Sequence, residues 1–89
     1  MKAKAFFYPE ARQTPPASGY STVGELLNPP WKLKPNESFS LVLKMESSCL
    51  GKYFDCEVRT LVEDGPKLEK GDIWGLYEGD SLVGEVWID

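Results

Sequence analysis

Residues 72–89 read Asp72-Ile73-Trp74-Gly75-Leu76-Tyr77-Glu78-Gly79-Asp80-Ser81-Leu82-Val83-Gly84-Glu85-Val86-Trp87-Ile88-Asp89. Two strand-like runs, Asp72 to Glu78 and Leu82 to Ile88, flank Glu78-Gly79-Asp80-Ser81, whose glycine and aspartate suit a short hairpin connection. In the second run Leu82, Gly84, Val86 and Ile88 alternate with Val83, Glu85, Trp87 and Asp89, the period of a strand with one buried face. Gly75 and Gly84 fall inside these strands. A missing side chain there marks a bulge or a close backbone approach, as at barrel corners.

Working backwards, the same period recurs. Phe39, Leu41, Leu43 and Met45 share one parity, while Ser40, Lys44 and Glu46 share the other with only Val42 apolar. Phe54, Cys56, Val58, Thr60 and Val62 then alternate with Tyr53, Asp55, Glu57, Arg59 and Leu61, which turns Cys56 to the core. Ser47 to Lys52 connects these runs. Glu63-Asp64-Gly65-Pro66 and Leu68-Glu69-Lys70-Gly71-Asp72 read as turns. An opening strand carrying Ala3, Ala5 and Phe7 is expected to pair with the C-terminal strand and close a barrel. Six of the seven prolines lie between Pro9 and Pro35, and the pairs Pro15-Pro16 and Pro29-Pro30 exclude a helix across them. One short helical turn is expected from Ser21 to Leu27, with Ser21 as its cap. The expected fold is a single all-β domain over residues 1–89, a small closed antiparallel barrel of about six strands.

Composition bounds the function. The chain has 89 residues, 42% of them apolar and 27% charged, as in an ordinary globular domain. Its length leaves room for one core. No run of apolar residues is long enough to span a membrane as a helix. Met1 to Tyr8 lacks the longer apolar centre of a secretory leader, so a cytoplasmic location is expected. Ten Lys and Arg against fourteen Asp and Glu give a net charge of −4, an unfavourable start for binding a polyanion. Histidine, the usual general base and metal ligand, is absent. Cys49 and Cys56 are too few for a disulfide scaffold and are expected as free thiols.

Motifs of catalysis are missing as well. There is no glycine-rich phosphate loop ending in Lys-Ser/Thr, no Cys-x-x-Cys, no nucleophile elbow and no histidine triad. Neither enzyme activity nor a cofactor, nucleotide or metal is expected. The carboxylates Glu63-Asp64 and Glu78/Asp80 fall on turns, where solvation accounts for them. Cys56 on an apolar face is inert by desolvation, and Cys49 has no neighbour that would activate it.

Two segments carry a resemblance. Ala11-Arg12-Gln13-Thr14-Pro15-Pro16-Ala17-Ser18-Gly19-Tyr20 follows a strand, and Gly71-Asp72 precedes Glu78-Gly79-Asp80-Ser81-Leu82-Val83-Gly84. In that order they resemble the C-terminal, third domain of elongation factor Tu and related translation GTPases. Arg12, Thr14, Pro15, Gly19 and Tyr20 match its first block. Gly71, Asp72, Glu78, Gly79, Val83 and Gly84 match its last. Residues 26–37 look like an insertion. The resemblance implies a closed β-barrel that contacts aminoacyl-tRNA or protein partners. Three departures weaken the RNA side of that implication: Glu10-Ala11 replaces a Gly-Gly, and Ser21 and Ser81 stand where the family places arginine.

The chain carries eleven aromatic residues, more than one small barrel interior holds. Trp31, Trp74 and Trp87, with Phe6, Tyr8 and Tyr53, are read on or near the face opposite the core parity. Exposed Trp and Tyr with a polar rim mark protein interfaces. The expected function is therefore a non-enzymatic binding module for a protein partner, in a translation-related, regulatory or toxin-immunity role, with Arg12, Tyr20, Trp31, Trp74 and Trp87 as partner-binding residues. The alternative is an RNA-binding module gripping tRNA-like stems through Lys2, Lys4, Arg12, Lys32 and Lys34. An enzyme using Cys49 is a third reading.

Overall fold

A computed structural model describes residues 1–27, 39–61 and 67–89. These form six strands: β1 (Lys2–Phe7), β2 (Tyr20–Leu26), β3 (Phe39–Lys44), β4 (Phe54–Thr60), β5 (Ile73–Glu78) and β6 (Ser81–Ile88). They close into one antiparallel barrel in the order β1-β4-β3-β2-β5-β6, with β6 returning to β1. Among the described residues there is no helix. The closure expected from the first and last strands is present, with Ala3 opposite Ile88, Ala5 opposite Val86 and Phe7 opposite Gly84.

Alternation explains most of the core. Ala3, Ala5 and Phe7 point inward from β1, Leu41 and Leu43 from β3, Cys56 and Val58 from β4, Trp74 and Leu76 from β5, and Val86 and Ile88 from β6. Phe7 and Trp74 are the largest wholly buried side chains, and the two small alanines of β1 leave room for such bulk on facing walls. Phe7 also meets Tyr20 edge-on at 5.3 Å and stacks with Phe54 at 6.0 Å, so aromatic rings plug one end of the barrel.

Two glycine positions shape the wall. Gly79 adopts φ 62° in the two-residue turn between the paired Glu78 and Ser81, the positive φ that a tight hairpin demands. A Cβ on Gly84 would lie 2.6 Å from the carbonyl oxygen of Phe6, so β1 packs against bare backbone there.

The structure corrects two expectations. Ser21 to Leu27 is no helical turn: Tyr20–Leu26 is β2, paired with both β3 and β5. Its period-two pattern was disguised because one inward position is Gly24, where a Cβ would sit 2.4 Å from Cδ1 of Leu41. The alternation read through Leu82 and Val83 also breaks, at a bulge beside Gly84, where a bulge or close backbone approach is expected. Leu76 pairs with Gly84 but Tyr77 pairs with Leu82, which leaves Val83 as the extra residue of a bulge. The bulge turns Val83 inward and Leu82 outward, opposite to a regular strand.

Candidate functional site

Arg12 and Tyr20 lie at the aromatic-plugged end of the barrel. The β1–β2 connection folds back through hydrogen bonds from Ala11 and Arg12 amides to the Tyr8 carbonyl, and this places the Arg12 side chain over the core. Its guanidinium carbon sits 5.8 Å from the Phe7 ring centre and 5.2 Å from that of Tyr20. Nε donates to the Thr14 carbonyl at 3.0 Å, and Nη1 bonds and pairs with the Glu78 carboxylate. Tyr20 donates its hydroxyl to the same carboxylate at 2.5 Å. Burial, then this bond to Glu78, pushes the Tyr20 phenol up to about 12. Glu78, exposed beside the hairpin turn, also anchors these two side chains. Arg12 covers apolar surface and neutralises a carboxylate, which leaves little of it to present to a ligand.

The three tryptophans part company. Trp31 lies outside the described residues, as do Lys32, Lys34, Glu63 and Asp64. Trp74 is corrected from surface to core: it is only 1% exposed. The reason is Gly75, which takes the outward position on β5, roofed by the side chains of Leu27 and Leu82, so that its neighbours Trp74 and Leu76 face in. Among the described residues the Trp74 Nε1 finds no acceptor.

Trp87 keeps its expected place on the outer wall, 41% exposed, and it has company. Tyr53, 50% exposed, meets it edge-on with ring centres 6.2 Å apart. Phe6 lies 4.9 Å from Tyr53 and 5.8 Å from Tyr8. Four aromatic rings therefore form one continuous patch over β1, β6 and the start of β4. Glu85 stands within it. It lies opposite Phe6 in the register and two residues from Trp87 on the same face, and it accepts the Trp87 Nε1–H at 2.8 Å. Burial, then the charge of Glu85, pushes the Tyr8 phenol up. Sequence reading placed the rings on this face but missed Glu85. The signal was present in the shared parity of Glu85 and Trp87.

The neighbouring wall is charged and of mixed sign. Lys4 donates to Asp55 at 2.7 Å across β1 and β4, a bond that raises the lysine pKa and lowers that of the aspartate. Glu57 is opposite both Lys2 and Lys44 in the register. A groove of about 710 Å³ beside them is lined by Lys2, Lys44, Glu46, Asp55, Glu57 and Asp89 among others. Cations and carboxylates alternate here, so no continuous positive stripe exists among the described residues. Cys49 and Cys56 are both free thiols. Cys56 faces the core, and burial pushes its thiol up to about 11. Cys49 is half-buried in the β3–β4 connection with its sulfur 3.7 Å from the Lys52 carbonyl. No described helix is long and apolar enough to cross a membrane, and no group of three or more metal-ligating side chains gathers among the described residues.

Comparison with protein-family models, with curated proteins and with solved structures finds no match.

Proposed function

We propose that this chain is a non-enzymatic binding module that engages a protein partner through the outer wall of β1 and β6. The observation that carries the reading is the continuous patch of Phe6, Tyr8, Tyr53 and Trp87, with Tyr53 and Trp87 about half exposed. Exposed aromatics grouped in this way are enriched at protein interfaces and depleted elsewhere on surfaces. A closed barrel offers no free strand edge, so a partner would meet side chains rather than add a strand.

Protein is favoured over RNA for a structural reason. Of the cations that would grip a phosphate backbone, Arg12 is held by Glu78 and Lys4 by Asp55. Lys2 and Lys44 flank Glu57. The proposal extends to kinship: a closed six-stranded barrel is the fold implied by the resemblance to the third domain of elongation factor Tu. That kinship would place the partner in the cytoplasm, in translation, in its regulation or in immunity to a toxin.

The test is binding by variants. Trp87→Ala or Tyr53→Ala should weaken the complex with the protein partner by about 2 kcal/mol if either is a hot spot. tRNA at about 0.15 M salt should bind no tighter than the non-specific range of roughly 10⁻⁴–10⁻⁶ M. A nanomolar, steeply salt-dependent tRNA complex lost in Arg12→Ala would overturn the reading.

A further inference from the structure

The barrel shows how it treats a cation of its own. At the plugged end, two rings and a carboxylate (Phe7, Tyr20 and Glu78) receive the guanidinium of Arg12. The outer wall presents the same kinds of group. Trp87 and Tyr53 stand at 88° to each other, and Glu85 is tied to Trp87 by the indole N–H. Here the rings face solvent, and among the described residues Glu85 forms no ion pair. A carboxylate with a hydrogen bond but no counter-cation, at the centre of an apolar patch, is costly to cover with an apolar partner, because its charge would be buried without an opposite charge. A cation brought by the partner removes that cost and gains attraction to the ring faces.

We infer that the patch docks a basic segment of a partner protein, with an arginine or lysine side chain laid against Trp87 and Tyr53 and its charge on Glu85. The inference rests on the protein-binding reading above and names the chemistry of the occupant. Charge supports it at two scales. The whole chain carries −4. Locally, Glu10 lies close enough to join Glu85 in acting on Tyr8. The nearest cation in the register is Lys4, opposite Trp87, and it is turned to Asp55 at 2.7 Å. Lys52 is exposed on the rim beside Tyr53. Arginine fits better than lysine, since its flat guanidinium stacks on a ring while its edge pairs with a carboxylate.

The Trp87 indole N–H reports on the site directly. In a ¹⁵N–¹H spectrum of the full chain it should shift progressively with a short peptide of alternating arginine and glycine. Half-saturation on the order of 1 mM is reasonable for one cation on one small patch. An acidic peptide of equal length should leave it unmoved. Glu85→Gln keeps an acceptor for the indole but loses the charge, and should weaken the basic peptide about tenfold at an unchanged melting temperature. No movement of the indole signal up to about 10 mM basic peptide, ten times that midpoint, would overturn the inference. So would an equal response to both peptides, or full binding by Glu85→Gln. Binding of the natural protein partner separates the two levels. If Trp87→Ala weakens it and Glu85→Gln does not, the face binds protein without a cation and only this inference fails. If neither variant affects it, the docking face itself is wrong.

Discussion

Replacing Gly84 with alanine should weaken the seam that closes the barrel. No unusual φ is needed at this residue; the constraint is space. The new Cβ would stand 2.6 Å from the Phe6 carbonyl oxygen and 3.2 Å from the Phe7 ring, where real Cβ contacts essentially never fall below 3.0 Å. Relief requires β1 and β6 to part by about 0.4 Å or more, the difference between those two separations. The adjacent hydrogen bond from the Tyr8 amide to the Val83 carbonyl, now 2.9 Å, would stretch with them. Overpacking of this kind costs about 1–3 kcal/mol. Loss of glycine's freedom in the unfolded chain returns about 0.4–1 kcal/mol. The net expectation is a destabilisation of roughly 1–2 kcal/mol, with a fall in melting temperature of about 4–8 °C per kcal/mol for a domain of this size. Gly75→Ala is the control. The atoms nearest its Cβ would be methyl ends of Leu27 and Leu82, at 3.0–3.2 Å, and these side chains can turn aside. It should change stability by no more than about 0.5 kcal/mol. Thermal and urea unfolding followed by circular dichroism measure both. Equal stability of Gly84→Ala and wild type would refute the reasoning, and so would equal damage from the two variants.

Other expectations concern the plugged end and the thiols. Arg12→Ala should cost about 1–2 kcal/mol through lost packing over Phe7 and Tyr20 and a stranded Glu78, and Arg12→Lys should recover only part of it because an ammonium does not stack as a flat guanidinium does; urea midpoints decide this. Alkali should unfold the chain early. The folded pKa values of Tyr20 and Cys56, about 12 and about 11, exceed their ordinary 10.0 and 9.0, so the unfolded state sheds its protons first. Their contribution is complete below those ordinary values and is lost as pH climbs through the folded ones, and urea midpoints should fall over that window, less so in Tyr20→Phe and Cys56→Ala. A thiol reagent should label Cys49 in the native protein and Cys56 only on unfolding, as mass spectrometry would show; rapid native labelling of both would contradict the burial of Cys56.

How much of this was legible depended on whether side chains carried the pattern. β1, β3, β4 and the two strands and turn of the C-terminal hairpin were legible as elements because their buried positions hold mostly Ala, Phe, Leu, Cys and Val in alternation, although the facing of Trp74, Leu82 and Val83 in the hairpin was not. β2 was misread because Gly24 occupies an inward position that Leu41 fills from across the sheet, a long-range fact that no local window contains. Trp74 was misplaced for a related reason. Its inward direction follows from leaving the outward place to Gly75, and the bulge at Val83 shifts the parity of the partner strand. At the surface, the rings were recognisable as surplus. Their gathering around Glu85 was not, because Tyr53, Phe6 and Trp87 come from three separate parts of the chain and meet only when the barrel closes.

The closure of β6 onto β1 also dictates an order of events in time. β2–β3, β3–β4 and β5–β6 join neighbours in sequence, but β1–β4, β2–β5 and β1–β6 reach across most of the chain. Half of the seams must therefore await distant partners, and folding should be slow for a domain of this length, in the millisecond-to-second range of barrels rich in non-local contacts. As the chain leaves the ribosome, β1 emerges first, and its second neighbour is complete only when Ile88 has appeared. Throughout that wait it keeps an unpaired edge, even once β4 covers the other, and that edge is open to pairing with another molecule. Lys2 and Lys4 alternate with its small core residues, and on an unpaired strand lysines discourage such adhesion. The same two charges that stand opposite Glu57 and Asp55 in the finished barrel should guard its first strand until the last one arrives.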